Sequence, residues 1–68
     1  MTVAKIIELV GHSNVSWEDA VKNAVSDASK SVDNIRGVEV YNLTANIDNG
    51  KIVDYKANVK LAFGVNER

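Results

Sequence analysis

Between Ile52 and Val65 the sequence IVDYKANVKLAFGV puts Val53, Tyr55, Ala57, Val59, Leu61, Phe63 and Val65 on one parity. Lys56, Asn58 and Lys60 fall on the other. Such alternation is the pattern of a β-strand with one buried face. At about 3.3 Å per residue the run spans roughly 46 Å. A compact chain of this length has a radius of gyration of about 11 Å, hence a diameter near ~28 Å. The strand must therefore curl, overhang into a neighbour, or do both. Asn49-Gly50 precedes it, a strong signal for a two-residue hairpin turn, so a second long strand lies antiparallel beside it.

That partner strand changes parity, from Val38 and Val40 to Leu43, Ala45 and Ile47, which predicts a bulge near Tyr41-Asn42. Upstream, Val3 to Val10 carries apolar residues on both parities (Ile6, Ile7, Leu9, Val10), the pattern of a strand covered on both faces and ended by Gly11. Ser16 then opens a helix, with Asp19 three residues on in an arrangement close to a capping box. Glu18 and Asp19 also lie near the positive end of the helix dipole. Trp17, Ala20, Val21, Ala24, Val25, Ala28 and Val32 form one apolar stripe, with Lys22, Asn23, Asp27 and Lys30 opposite. Three alanines in the stripe imply close packing, and Asp33-Asn34 ends the helix.

The fold class is α+β: a β-α-β-β unit in which a three-stranded antiparallel sheet wraps around one helix, a single domain over residues 1–68. A chain this short hides only about 60% of the surface its unfolded form exposes. It has no cysteine to supply disulfides, so assembly is the expected supplement. One helix covers one sheet face. The row of Lys56, Asn58 and Lys60 on the other meets water or lines a shared cavity.

Charge and motifs exclude several functions. Net charge is −1 with no basic cluster, which gives nucleic-acid binding no electrostatic support. Lys5 and Glu8 interrupt the apolar start, which also lacks a signal-peptide pattern, and nothing approaches a membrane span. The sequence reads as cytoplasmic, and the sequons at Asn14 and Asn42 read as chance. One histidine and no cysteine assemble no nucleophile, base and orienter, and no phosphate loop is present, so the expectation is that the chain is not an enzyme.

Gly37 is the anomaly. It stands just inside the second strand, where a glycine loses packing and marks a bulge or a close approach. The order of ELVGHS, SWEDAVKNAV, VEV, DNGKIVDYK and VKLAFGV within so short a chain resembles the dodecins. The resemblance runs nearly end to end and implies a hollow homododecamer that binds small molecules. Many dodecins hold flavins (riboflavin, FMN) between subunits, stacked on a tryptophan that precedes the VEV-like stretch. A glutamine following the tyrosine of the last strand bonds the flavin edge. Those positions are Gly37 and Lys56 here, and both depart from the pattern. Glycine has no π-face, and lysine donates without accepting. The SWEDA and SVDNIRGVEV segments are closer to the calcium-associated branch, where the tryptophan position is small, but no metal ligands transfer residue by residue.

The remaining candidates take plainer readings. Trp17 belongs to the helix stripe and serves core or subunit packing. His12, the sole histidine, is no metal site alone, although symmetry could gather copies. Asp48-Asn49-Gly50 echoes a calcium loop but lacks the bidentate glutamate. Glu39 reads as a solvated or intersubunit ion-pair group, and Lys56 and Lys60 as a solvated sheet face. The leading function is a non-catalytic homododecameric binding or storage protein with flavin stacking lost. Two alternatives stand: a structural assembly tied by calcium, or a carrier for an anionic ligand held by Lys56.

Overall fold

The computed structural model describes residues 3–65. Strand β1 (Val3–Ser13), helix α1 (Trp17–Ala28), strand β2 (Ile35–Asp48) and strand β3 (Lys51–Val65) follow in order. All pairings are antiparallel and the sheet order is β1-β3-β2, so the third strand sits at the centre. The described residues extend 51 × 20 × 13 Å with a radius of gyration of 13.8 Å, so the long hairpin does overhang. The expected turn is present. Asn49 (φ 53°) and Gly50 (φ 78°) both take the left-handed conformation that a tight type I′ hairpin turn demands.

Pairing register assigns the faces, because residues directly opposite each other share one. Ala57, Val59 and Leu61 of β3 are fully buried against Ala20, Ala24 and Ala28 of α1. Gly11, Leu9 and Ile7 of β1 stand opposite those three β3 residues, on the helix side. Gly11 does not end β1, which runs two residues further, to Ser13. Its role is spacing: a Cβ there would overlap the Ala20 carbonyl oxygen and stand 3.0 Å from the Ala24 Cβ. Asn23 fixes the same approach from the helix, its side-chain N–H donating to the His12 carbonyl at 2.8 Å.

Nor is β1 covered on both faces within the chain. Ile6 (57% exposed) and Val10 (52%) lie on the side away from the helix.

Ser16 caps α1 as expected, its hydroxyl accepting from the Asp19 N–H at 3.0 Å. The reciprocal half of a capping box is replaced. Asp19 instead accepts from the Ser13 hydroxyl at 2.7 Å, and Ser13 Oγ accepts from the Val15 N–H at 2.9 Å. The helix ends at Ala28, short of the Val32 at which its apolar stripe ends. The Val25 carbonyl accepts both the backbone N–H and the hydroxyl of Ser29, and turns that accept at the Asp27 and Ala28 carbonyls carry the chain on to Val32. Asn34, at φ 63°, redirects the chain into β2.

The bulge falls where the parity change predicts. Register shifts between Val40 and Asn42, leaving Tyr41 the extra residue, and further shifts occur at Ile35/Gly37 and Asn46/Ile47. The helix packs on β1 and β3 and barely reaches β2. Val38, Val40 and Leu43, on the helix side by register, are therefore 46%, 42% and 50% exposed.

Candidate functional site

The face of the sheet turned away from α1 is organised as rows across the three strands. Ile6, Ala62 and Gly37 form one row; Glu8, Lys60 and Glu39 the next; then Val10, Asn58 and Asn42; then His12, Lys56 and Thr44. Successive rows lie about 7 Å apart, two residues along a strand.

Gly37 sits on this face opposite Ala62, and a Cβ built on it would meet nothing within 4 Å. No described residue occupies the space that a larger side chain would take. A shallow recess of about 190 Å³ lies alongside, lined by Val25, Ile35, Arg36, Gly37 and Val38. Lys56 shares the face but is six residues along β3 from the Gly37 row, a separation of roughly 20 Å. The chain by itself does not bring its two flavin-pocket positions together.

His12 Nδ1 lies 3.1 Å from the Asp54 carboxylate, which also accepts from the Asn46 side chain at 3.5 Å. Fixing one ring nitrogen orients the imidazole and leaves Nε2 for other partners. Among the described residues no group of three or more His, Asp or Glu side chains gathers as a metal site. Trp17 is half-buried at the helix start; its Nε1–H donates to the Thr44 carbonyl at 2.8 Å and its ring meets Tyr55 edge-on at 4.9 Å. It fastens the helix N-terminus to β2 across β3. Glu39 stands opposite Lys60 in register.

Tyr41 escapes the sequence reading. The bulge places it on the open face, where the Lys60 ammonium stands 5.1 Å from the ring centroid and the phenol donates to Glu8 Oε2 at 3.2 Å. Packing against the sheet, together with the Glu8 carboxylate, holds the phenol above the usual tyrosine range. Its two partners lie on the two other strands, and only the parity change in β2 hints at its position. A larger groove, about 480 Å³, separates α1 from the β1 edge and is lined by Leu9, His12, Asn23, Asp27 and Lys30 among others. No helix among the described residues is long and apolar enough to cross a membrane.

Comparison with known proteins agrees with this architecture. The family model described as Dodecin matches residues 3–66. Calcium dodecin of Mycobacterium tuberculosis is 35% identical over 63 residues, covering 93% of this chain and 89% of that protein. The dodecin structure from Streptomyces coelicolor superposes with a TM-score of 0.93 at 28% identity, over 98% of this chain and 96% of that one. A crystal structure of the M. tuberculosis calcium dodecin, a calcium-chelating immunodominant antigen with a novel calcium-binding site, superposes with a TM-score of 0.80. Identity there is 39%, over 90% of this chain and 87% of that one. The β-α-β-β chain, with its helix seated on β1 and β3 and its second sheet face open, belongs to the dodecin family.

Proposed function

We propose that the protein is a non-catalytic, cytoplasmic small-ligand binding or storage protein that works as a homododecamer, with the family's flavin stacking lost at Gly37. The observation that carries this reading is the empty space at Gly37 on the open face, some 20 Å from Lys56. A pocket built from both positions needs two subunits. The uncovered apolar row Val38, Val40 and Leu43 on the overhanging β2 supplies a surface for such an assembly. Light scattering after size exclusion tests it: twelve chains are expected, and a stable monomer at micromolar concentration overturns the assembly.

Flavin binding is tested by quenching of flavin fluorescence. Wild type is expected to bind riboflavin or FMN weakly or not at all. Gly37→Trp should recover most of the binding, since each stacked pair contributes on the order of 1 kcal/mol beyond area burial. Adding Lys56→Gln contributes one further edge hydrogen bond, worth about 1 kcal/mol. Submicromolar quenching by wild type overturns the account of Gly37.

A second reading, calcium ions tying subunits together, is favoured by the 35% identity to calcium dodecin. Carboxylates from several copies would then complete oxygen sites that the described residues of one chain do not gather. Carriage of an anion by Lys56, which stands in register with His12 and Thr44, is the third.

A further inference from the structure

We propose that Asn49 is a site of spontaneous covalent modification, held unreactive by the hairpin turn and released when the turn opens. The inference is independent of any ligand and goes beyond the reading above. Asparagine followed by glycine is the dipeptide most prone to cyclise, because glycine has no side chain to obstruct its own nitrogen. Asn49 is the one asparagine of the chain that glycine follows; the others precede Val, Ala, Ile, Leu or Glu. In the reaction the Gly50 backbone nitrogen attacks the side-chain carbonyl carbon of Asn49, Cγ. The N–Cγ bond forms, the Cγ–NH2 bond breaks, and ammonia leaves with the proton that the Gly50 nitrogen gives up. Water then opens the five-membered succinimide at either carbonyl. Opening at Cγ leaves aspartate. Opening at the main-chain carbonyl leaves isoaspartate, in which the chain runs on through the side chain.

The turn withholds this chemistry. Asn49 (φ 53°) and Gly50 (φ 78°) take the type I′ conformation, in which ψ of the first residue is about 30°. That value sets the Gly50 nitrogen nearly opposite the Asn49 Cβ across the Cα–C′ bond, whereas a five-membered ring needs the two eclipsed. Pairing of Asp48 with Lys51, on which the two-residue loop closes, resists the rotation. Beyond its chain neighbours, no described residue lies within 4 Å of a Cβ built on Gly50, so an opened turn meets no obstruction. Asn34 is the contrast within the chain. It too is left-handed, at φ 63°, but Ile35 follows it, and a stiff β-branched side chain shields the attacking nitrogen. Isoaspartate adds one backbone carbon to the loop and a carboxylate beside Asp48. Loop length fixes hairpin register, so the Asp48–Lys51 and Ile47–Ile52 pairs are the first to lose their fit.

Peptide mapping by mass spectrometry, on protein held at mildly alkaline pH, tests the proposal, with isoaspartate told from aspartate by isoaspartyl methyltransferase labelling. Asn49 is expected to convert about tenfold or more faster in guanidinium-unfolded protein than in the folded assembly, because a closed turn reacts only through its open fraction. Asn34 should stay unconverted in both over that period. Ile52→Gly removes the side chain paired with Ile47 beside the turn, and when folded it should convert about threefold or more faster than folded wild type. Unfolded, the two should convert alike. If far-UV circular dichroism shows that Ile52→Gly does not fold, guanidinium below the unfolding midpoint opens the turn in wild type and supplies the same arm. Separated isoaspartate protein should melt below wild type, whereas Asn49→Asp, whose Asp-Gly pair also suits the turn, should melt with it. The proposal is overturned if Asn49 does not convert in the unfolded chain, if folded and unfolded chains convert at the same rate, or if Asn34 keeps pace with Asn49. It is overturned equally if opening the turn leaves the rate unchanged, or if the isoaspartate form melts as wild type does.

Discussion

Replacing Gly11 by alanine adds one methyl group at the closest contact between helix and sheet. The new Cβ would overlap the Ala20 carbonyl oxygen and approach the Ala24 Cβ to 3.0 Å. Neither can move aside alone. Ala20 and Ala24 are buried at 0% and 5% exposure, and the obstructing oxygen belongs to helical backbone. The helix must lift as a body, which costs about 1–3 kcal/mol as overpacking. Lifting it also stretches the Asn23 bond to the His12 carbonyl, worth about 1 kcal/mol more. A loss of about 2–4 kcal/mol is a large fraction of the roughly 5–15 kcal/mol that holds a domain folded. Gly37→Ala is the internal control with the opposite sign. Its Cβ meets nothing within 4 Å, and alanine in a strand interior gains roughly 0.5–1 kcal/mol over glycine. At about 4–8 °C per kcal/mol for a chain of this size, Gly11→Ala should melt about 8–32 °C lower and Gly37→Ala a few degrees higher. The assay is thermal unfolding by circular dichroism at one fixed chain concentration, because assembly makes Tm concentration-dependent. Melting of Gly11→Ala within about 2 °C of wild type would refute the reasoning, as would a shift of the same sign in both variants.

Trp17→Phe keeps the edge contact with Tyr55 but removes the donor to the Thr44 carbonyl, and urea unfolding should show a loss of about 1 kcal/mol. The Tyr41 phenol titrates above the ordinary tyrosine range through packing and Glu8, which absorbance at the phenolate band should follow; Glu8→Gln should bring it down. The sign for stability follows: the stabilisation from the protonated phenol is fully present below the unfolded tyrosine value, about 10, and is lost as pH rises through the higher folded value. If calcium ties subunits, a chelator should lower the melting temperature of the assembly and added calcium restore it; a flat response across a chelator titration removes calcium as a structural partner.

Much of the fold is legible because its signals are local. Asn49-Gly50, the Ser16 cap and the parity change near Tyr41 each act within a few residues, and each stands where its chemistry predicts. Gly11 misleads because a glycine that ends a strand and one that admits a helix look alike in one dimension. Only the placement of Ala20 distinguishes them. The helix end is hidden because Val32 prolongs the apolar stripe past Ala28, where the regular helix stops. On the open face, Gly37 and Lys56 are recoverable from resemblance, but their separation needs the register. The Glu8, Tyr41 and Lys60 cluster is drawn from three strands far apart in sequence, and no spacing rule reaches it.

The sheet order β1-β3-β2 has a consequence for how the chain is made. Synthesis delivers β1, α1 and β2 before the strand that both outer strands require. Until β3 leaves the ribosome, neither β1 nor β2 has its hydrogen-bonding partner, and the alanines of α1 lack Ala57, Val59 and Leu61 to bury against. Closing the sheet also joins positions near opposite ends of the described chain, Val3 with Val65, so much of the pairing is non-local and slow to form. During that interval two unpaired strand edges and an apolar helix face stand open to neighbouring nascent chains, the exposure that invites misassembly. The hairpin turn at Asn49-Gly50 limits this hazard. It forms β2-β3 locally as soon as both strands are out, and β1 then docks on a template already in place.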